Sequence, residues 1–145
     1  MIDILDRVQG AALQAKITTA EEAAKLINPG DHVGISGFTP SGYPKAVPLA
    51  LAKRMETEPF QIDLWTGASV GDEADGALTR VNGIRRRFPY QTNNDTRKAL
   101  NSQKMRYIDM HLSQMAQQIR YGFFGDTDVA IIEAVCIRED GVPRK

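Results

Sequence analysis

Two short stretches combine glycine with hydroxyl side chains: Ser36-Gly37-Phe38-Thr39-Pro40-Ser41-Gly42 and Thr66-Gly67-Ala68-Ser69-Val70-Gly71. Backbone N–H groups and hydroxyls in such loops can hold an anionic oxygen. Glycine there lets ligand and backbone approach closely. A tight turn has the same composition, so the pattern alone leaves both readings open. Neither stretch runs on into Gly-Lys-Ser/Thr, as a P-loop does, and neither reads as G-x-G-x-x-G.

A third polar cluster is Tyr90-Gln91-Thr92-Asn93-Asn94-Asp95. It suits a solvated loop that ends in a helix cap. That is the favoured reading from these residues alone; the functional one is a set of neutral donors for a substrate carboxylate. Neutral amides and hydroxyls fit an acyl group that alternates between carboxylate and thioester, because a fixed cation would hold the free acid too strongly.

The other reactive side chains point to structure first. Asp109 and His111 lie two apart, but a metal site needs a third ligand and His32 is far away in sequence. A helix cap or a core position is the expected role for His111, and no metal site is expected. Glu133 lies inside the apolar run Val129 to Ile137. Desolvation there would raise its pKa, a route to a catalytic group; an edge position or a pairing with an arginine is the favoured role. Arg85-Arg86-Arg87 could touch a phosphate, but alternate strand positions face opposite ways, which argues against one continuous patch. Cys136 is the single cysteine, so no intrachain disulfide can form, and it reads as a small buried hydrophobe.

The elements that must position these groups follow from periodicity. Residues 2–16 read as a helix, with Ile4, Leu5, Val8, Ala12 and Leu13 near helical spacing. Thr18 and Thr19 each precede a glutamate by three residues, a capping-box pattern for a short helix through Ile27. Asn28-Pro29-Gly30 stops it. His32–Ser36 and Phe60–Trp65 read as strands that open into the two glycine loops. Pro44 suits the first turn of a helix carrying Val47, Leu51 and Met55. Ala74–Val81 reads as a helix, 84–88 as a strand closed by Pro89, and Asp95 or Thr96 as the cap of a helix to about Gln103. A short strand is expected over 105–108, a helix over 111–121, and the strongest strand over 129–135. Glu139-Asp140-Gly141 reads as a turn, after which a hairpin return is expected. Alternating strands and helices argue for one α/β domain over residues 1–145, with a mainly parallel sheet flanked by helices.

Bulk properties set the outer bounds. The chain has 145 residues, enough for one domain with a core. Eighteen basic and eighteen acidic residues balance, so no global field favours nucleic acid or an anionic membrane. No window reaches the length of a membrane span, and the acidic start Met1-Ile2-Asp3 does not read as a signal peptide. A cytoplasmic setting is expected.

Six motifs in order resemble the acetyl-CoA hydrolase/transferase family. They are Ser36–Lys45 (S-G-F-T-x-x-G-x-P-K), Thr66-Gly67-Ala68-Ser69, Pro89-Tyr90-Gln91-Thr92-Asn93, Asp109-Met110-His111-Leu112-Ser113, Tyr121-Gly122-Phe123-Phe124-Gly125 and Val129–Ala134. The resemblance covers about residues 17–141. It implies the NagB/RpiA/CoA-transferase-like fold and a role as the N-terminal portion of an acyl-CoA:carboxylate CoA-transferase. It implies ping-pong chemistry, in which a glutamate takes the acyl group and then CoA before a second carboxylate collects it.

The family's nucleophilic glutamate and its CoA-binding loop lie in a C-terminal half, and no glutamate here matches the nucleophile, so no catalytic residue is assigned. Ser69 and Thr92 match positions lining the acyl or carboxylate pocket. Gly37, Thr39 and Gly67 are expected to shape the loops beside it. Coenzyme A enters as substrate and product, with no cofactor. The expected partners are an acyl-CoA, a small carboxylate, the C-terminal half and a second copy in a homodimer, with no nucleic acid or membrane. The N-terminal portion alone is expected to be inactive and to show an apolar face. A stand-alone binding or regulatory module of the same fold, and a small complete enzyme using Glu133 or Asp109, are the alternatives.

Overall fold

The computed structural model describes residues 3–39, 41–68 and 70–144. It contains α1 (Ile4–Arg7), α2 (Ala11–Gln14), α3 (Ala20–Ala24), β1 (His32–Ile35), α4 (Ala46–Thr57), β2 (Ile62–Thr66), a π-helical turn (Asp72–Gly76), α5 (Ala77–Arg80), β3 (Ile84–Phe88), α6 (Asn94–Asn101), β4 (Arg106–Tyr107), α7 (Leu112–Arg120), β5 (Val129–Ile131), β6 (Cys136–Ile137) and β7 (Pro143–Arg144).

Five strands form one sheet in the order β4-β3-β2-β1-β5, and all pairings in it are parallel. The chain steps outward from β1 to β4, then crosses back through α7 to place β5 on the other side of β1. That reversal divides the helices between the two faces. Val33, Ile35, Ile62, Leu64 and Ile84 share a buried core with Leu51, Ala52 and Met55 of α4 and Leu78 of α5. Trp65, on the opposite face, lies with Leu112, Met115, Ala116 and Ile119 of α7 around one small cavity. Full burial of a side chain such as Leu51 or Met55 contributes about 1.5–3 kcal/mol each. The expected mainly parallel, helix-flanked α/β sheet is therefore the observed one.

Several boundaries differ from expectation, each for a physical reason. The described part of the expected helix 2–16 breaks into α1 and α2. Gly10 takes φ +94°, and the Gln9 N–H donates to the Ile137 carbonyl at 2.8 Å, so β6 recruits this segment. Thr19 caps α3 by accepting from the Glu22 N–H at 3.1 Å. Asn93, not Asp95 or Thr96, caps α6, accepting from both of those N–H groups. Helix α4 begins at Ala46, so Pro44 precedes it, while Pro48 sits in its first turn where no helical N–H bond is lost. The 74–81 helix opens with a π-helical turn.

The strongest expected strand, 129–135, stops at Ile131. Beyond it the Glu133 N–H donates to Ser36 Oγ at 3.1 Å, and the chain turns into the β6–β7 hairpin. Pro143–Arg144 is the hairpin return. Cys136 is half-buried in that hairpin and not a core residue.

The arginine run breaks the simple alternation. A bulge opposite Ile62/Asp63 pairs Asp63 with Arg86, and Arg85 is the extra residue. Arg85 and Arg86 therefore both reach the buried Asp63 carboxylate, Arg85 at 2.8 and 3.0 Å and Arg86 at 2.6 Å. Arg87 points through the other face.

Candidate active-site edge

In a parallel sheet all carboxyl ends lie on one edge, and ligands bind there where the strand order reverses. Here that point lies between β1 and β5. A cleft of about 750 Å³ opens at it, lined by Gly37, Phe38, Thr39, Ser41 and Gly42 after β1, by Glu133, Ala134 and Val135 after β5, and by Arg7. Ser36 joins the two strand ends: its N–H donates to the Ile131 carbonyl at 2.9 Å, and its hydroxyl donates to the Gly42 carbonyl at 3.1 Å while accepting from Glu133.

The structure brings most of the expected loop residues together. Gly37 and Thr39 line the cleft. Gly37 takes φ +133°, a region that favours glycine. Thr39 takes φ +56°, and its hydroxyl donates back to the Phe38 carbonyl at 2.6 Å. Gly67 abuts Gly37, since a Cβ added to it would stand 3.0 Å from the Gly37 carbonyl oxygen. The two glycine loops thus touch. Thr92 is exposed on the loop after β3, two strands away from β1 on the same edge. That loop is held by Asn93, whose amide donates to Asp72 at 3.1 Å. Ser69 lies outside the described residues.

The electrostatics of the edge rest on pairs that sequence reasoning missed. Glu133 is not a desolvated carboxylate: it is 43% exposed and pairs with Lys45 at 3.1 Å. Lys45 also sits 4.3 Å over the Tyr43 ring and donates to the Tyr43 carbonyl. The Tyr43 hydroxyl donates a short hydrogen bond to Glu73. The Tyr43 phenol is pushed up to about 12 by that bond, then by burial and the Glu73 charge, and the same bond holds the Glu73 carboxyl below its ordinary value. Tyr43 is therefore a neutral donor, not an acid–base group, at physiological pH.

Under this edge, Arg87 is fully buried. It donates to both Asp75 oxygens at 2.7 and 3.0 Å, to Thr66 Oγ1 at 2.9 Å and to the Phe88 carbonyl at 2.6 Å. No short-range pattern could have revealed the Arg87–Asp75, Tyr43–Glu73 and Lys45–Glu133 pairs, whose partners lie 12, 30 and 88 residues apart.

His111 caps α7, with Nδ1 2.7 Å from Ser113 Oγ, as expected of a cap. Among the described residues no cluster of three or more His, Cys, Asp or Glu side chains could hold a metal, and no helix is long and apolar enough to cross a membrane.

Fold and edge together define an open parallel α/β domain with a crevice at its switch point. Solved structures share that fold. RipA from Yersinia pestis superposes with a TM-score of 0.61 over 86% of this chain and 30% of its own, at 20% identity. An acyl-CoA transferase from E. coli O157:H7 gives 0.62 over 72% of this chain and 22% of its own, at 14% identity. Residues 2–143 match the family model for the acetyl-CoA hydrolase/transferase N-terminal domain, and the chain belongs to that family. It is 50% identical over 137 residues to the succinyl-CoA:acetate CoA-transferase of Clostridium kluyveri, covering 93% of this chain. It is 47% identical over 128 residues to the propanoyl-CoA:succinate CoA transferase of Escherichia coli, covering 85%, and 38% identical over 148 residues to the acetyl-CoA hydrolase of Schizosaccharomyces pombe, covering 93%. The chain spans 26%, 26% and 28% of the length of these three relatives.

Proposed function

We propose that this chain forms the acyl- and carboxylate-facing part of an enzyme that moves CoA between an acyl-CoA and a small carboxylate of the acetate, propionate or succinate class. The observation that carries this reading is the switch-point cleft between the β1 loop and the end of β5. Its one lining carboxylate, Glu133, is neutralised by Lys45 and exposed to water, which suits a binding wall better than a nucleophile. The nucleophilic glutamate and the CoA-binding loop then come from a C-terminal half, as the family pattern implies. Ser69 and Thr92 act as neutral donors to the substrate oxygens; Gly37, Thr39 and Gly67 shape the wall beside them.

Edge strand β5 is only half-buried, and Phe38, Ile132 and Val135 near its end are 65%, 48% and 62% exposed. Apolar surface of this kind fits a face that the C-terminal half covers. Coenzyme A takes part as substrate and product.

The test mixes the chain with acetyl-CoA and succinate, with and without a supplied C-terminal half, and follows succinyl-CoA. Turnover only in the presence of that half is expected. Turnover by the chain alone would overturn the division of labour. No turnover in either case, with acyl-CoA binding retained, would favour a stand-alone binding module.

A further inference from the structure

We propose that Tyr43 is a positioning residue that sets the spacing between the two glycine loops, and so the width of the acyl pocket. The assignment of a pocket to this edge rests on the function proposed above; the coupling between the loops does not.

Tyr43 is buried, at 4% exposure, and its ring lies between the loops. A Cβ on Gly37 would stand 2.6 Å from Tyr43 Cβ, and a Cβ on Gly71 would run into the far end of the same ring, at the hydroxyl. The two glycines therefore grip the two ends of one side chain. Gly71 makes the case most clearly. Its φ of −78° and ψ of −177° are open to any residue, so the backbone does not require glycine there. Only the Tyr43 ring leaves no room for a side chain.

The ring is also fixed at both ends. Its hydroxyl is held by Glu73 in the π-helical turn, and its own carbonyl accepts from Lys45, which reaches across to Glu133 beyond β5. Glu73 of the π-helical turn and Lys45 of the segment after β1 thus hold one tyrosine directly, and Glu133 beyond β5 is joined to it through Lys45. A rigid aromatic spacer held in this way transmits a displacement of one loop to the other, because close-packed groups do not absorb it. A pocket wall displaced by about 1 Å is enough to alter how an acyl chain fits.

The test uses the whole chain and reads amide NMR spectra of four variants: Gly71→Ala, Tyr43→Leu, and Gly71→Ala combined with either Tyr43→Leu or Tyr43→Phe. Gly71→Ala should shift the Gly37 resonance in the other glycine loop. Adding Tyr43→Leu should abolish that shift, and adding Tyr43→Phe should leave it in place, because the ring remains. Shifts confined to the immediate surroundings of Gly71, or unchanged by Tyr43→Leu, would overturn the proposal.

The second readout is acceptor choice in the chain joined with its C-terminal half. Tyr43→Leu should change the ratio of kcat/KM for propionate over acetate by roughly tenfold, with Tyr43→Phe close to the parent. An equal loss for both acceptors would mark a merely structural role and count against the proposal. Absence of turnover in the parent itself would count against the functional reading alone, and the spectra would still decide the coupling.

Discussion

Arg87 and Asp75 meet through two hydrogen bonds, 2.7 and 3.0 Å long, with neither side chain exposed. The pair ties β3 to the π-helical turn, and the remaining Arg87 donors hold Thr66 at the start of the second glycine loop. Removing one partner leaves a buried charge alone, which costs more than the pair itself contributes. Arg87→Met should therefore destabilise the chain by about 3–5 kcal/mol in urea denaturation. Replacing both, with Asp75→Leu added, should recover part of that loss.

Asp63 predicts a pH dependence. Burial pushes its carboxyl up, but the Arg85 hydrogen bonds and the Arg86 charge outweigh that and hold it below the usual value. A lowered folded-state pKa means that its stabilisation is present above the unfolded value of about 3.9 and is lost as pH falls below it. His32, 3.1 Å away, also faces the carboxylate. Asp63→Asn should be clearly less stable than the parent at pH 7 and close to it at pH 2, by urea midpoints across that range. Parallel curves at all pH values would refute this account. Asp72 and Glu73 are held low by Arg80 and Tyr43 respectively, so some acid sensitivity will remain in the variant.

Gly34 pairs with Trp65 across β1 and β2, and a Cβ on it would stand 2.5 Å from the indole. Gly34→Ala should force the ring toward α7 and cost about 1–3 kcal/mol. Trp65 is the only tryptophan, so its fluorescence reports the displacement directly. An unchanged emission spectrum with unchanged stability would show that the ring has room to spare.

Ser69→Ala and Thr92→Ala, made in the chain joined with its C-terminal half, should each raise the carboxylate KM or slow turnover by about tenfold, the effect of one lost hydrogen bond to a charged oxygen. Parent-like kinetics in both would remove these residues from the pocket.

Much of this was legible in sequence because it is local. Strand periodicity marked all four strands from β1 to β4, and Thr19 announced the start of α3 through its spacing to Glu22. The order of six motifs was enough to indicate the family. Local pattern also placed Gly37, Thr39 and Gly67 on loops after strands, and in a parallel sheet such loops share one edge. The misreadings were also local in origin. The 129–135 run is apolar apart from Glu133, but Ser36 takes the Glu133 N–H and the strand ends before it. Arg85 and Arg86 are consecutive and would face opposite ways in a regular strand, but a bulge turns both toward Asp63.

By itself, then, the sequence determined the element types, the parallel α/β class, the family and the loops that carry the candidate site. Those depend on hydrophobic period, turn chemistry and motif spacing, all read within a few tens of residues. Only the tertiary structure decided where the strand order reverses, and with it the cleft between β1 and β5. It also decided that Glu133 answers to Lys45 and that Tyr43 lies between Gly37 and Gly71. The Tyr43–Gly71, Lys45–Glu133 and Ser36–Glu133 contacts join residues 28, 88 and 97 apart, and packing in three dimensions, not any local preference, selects them.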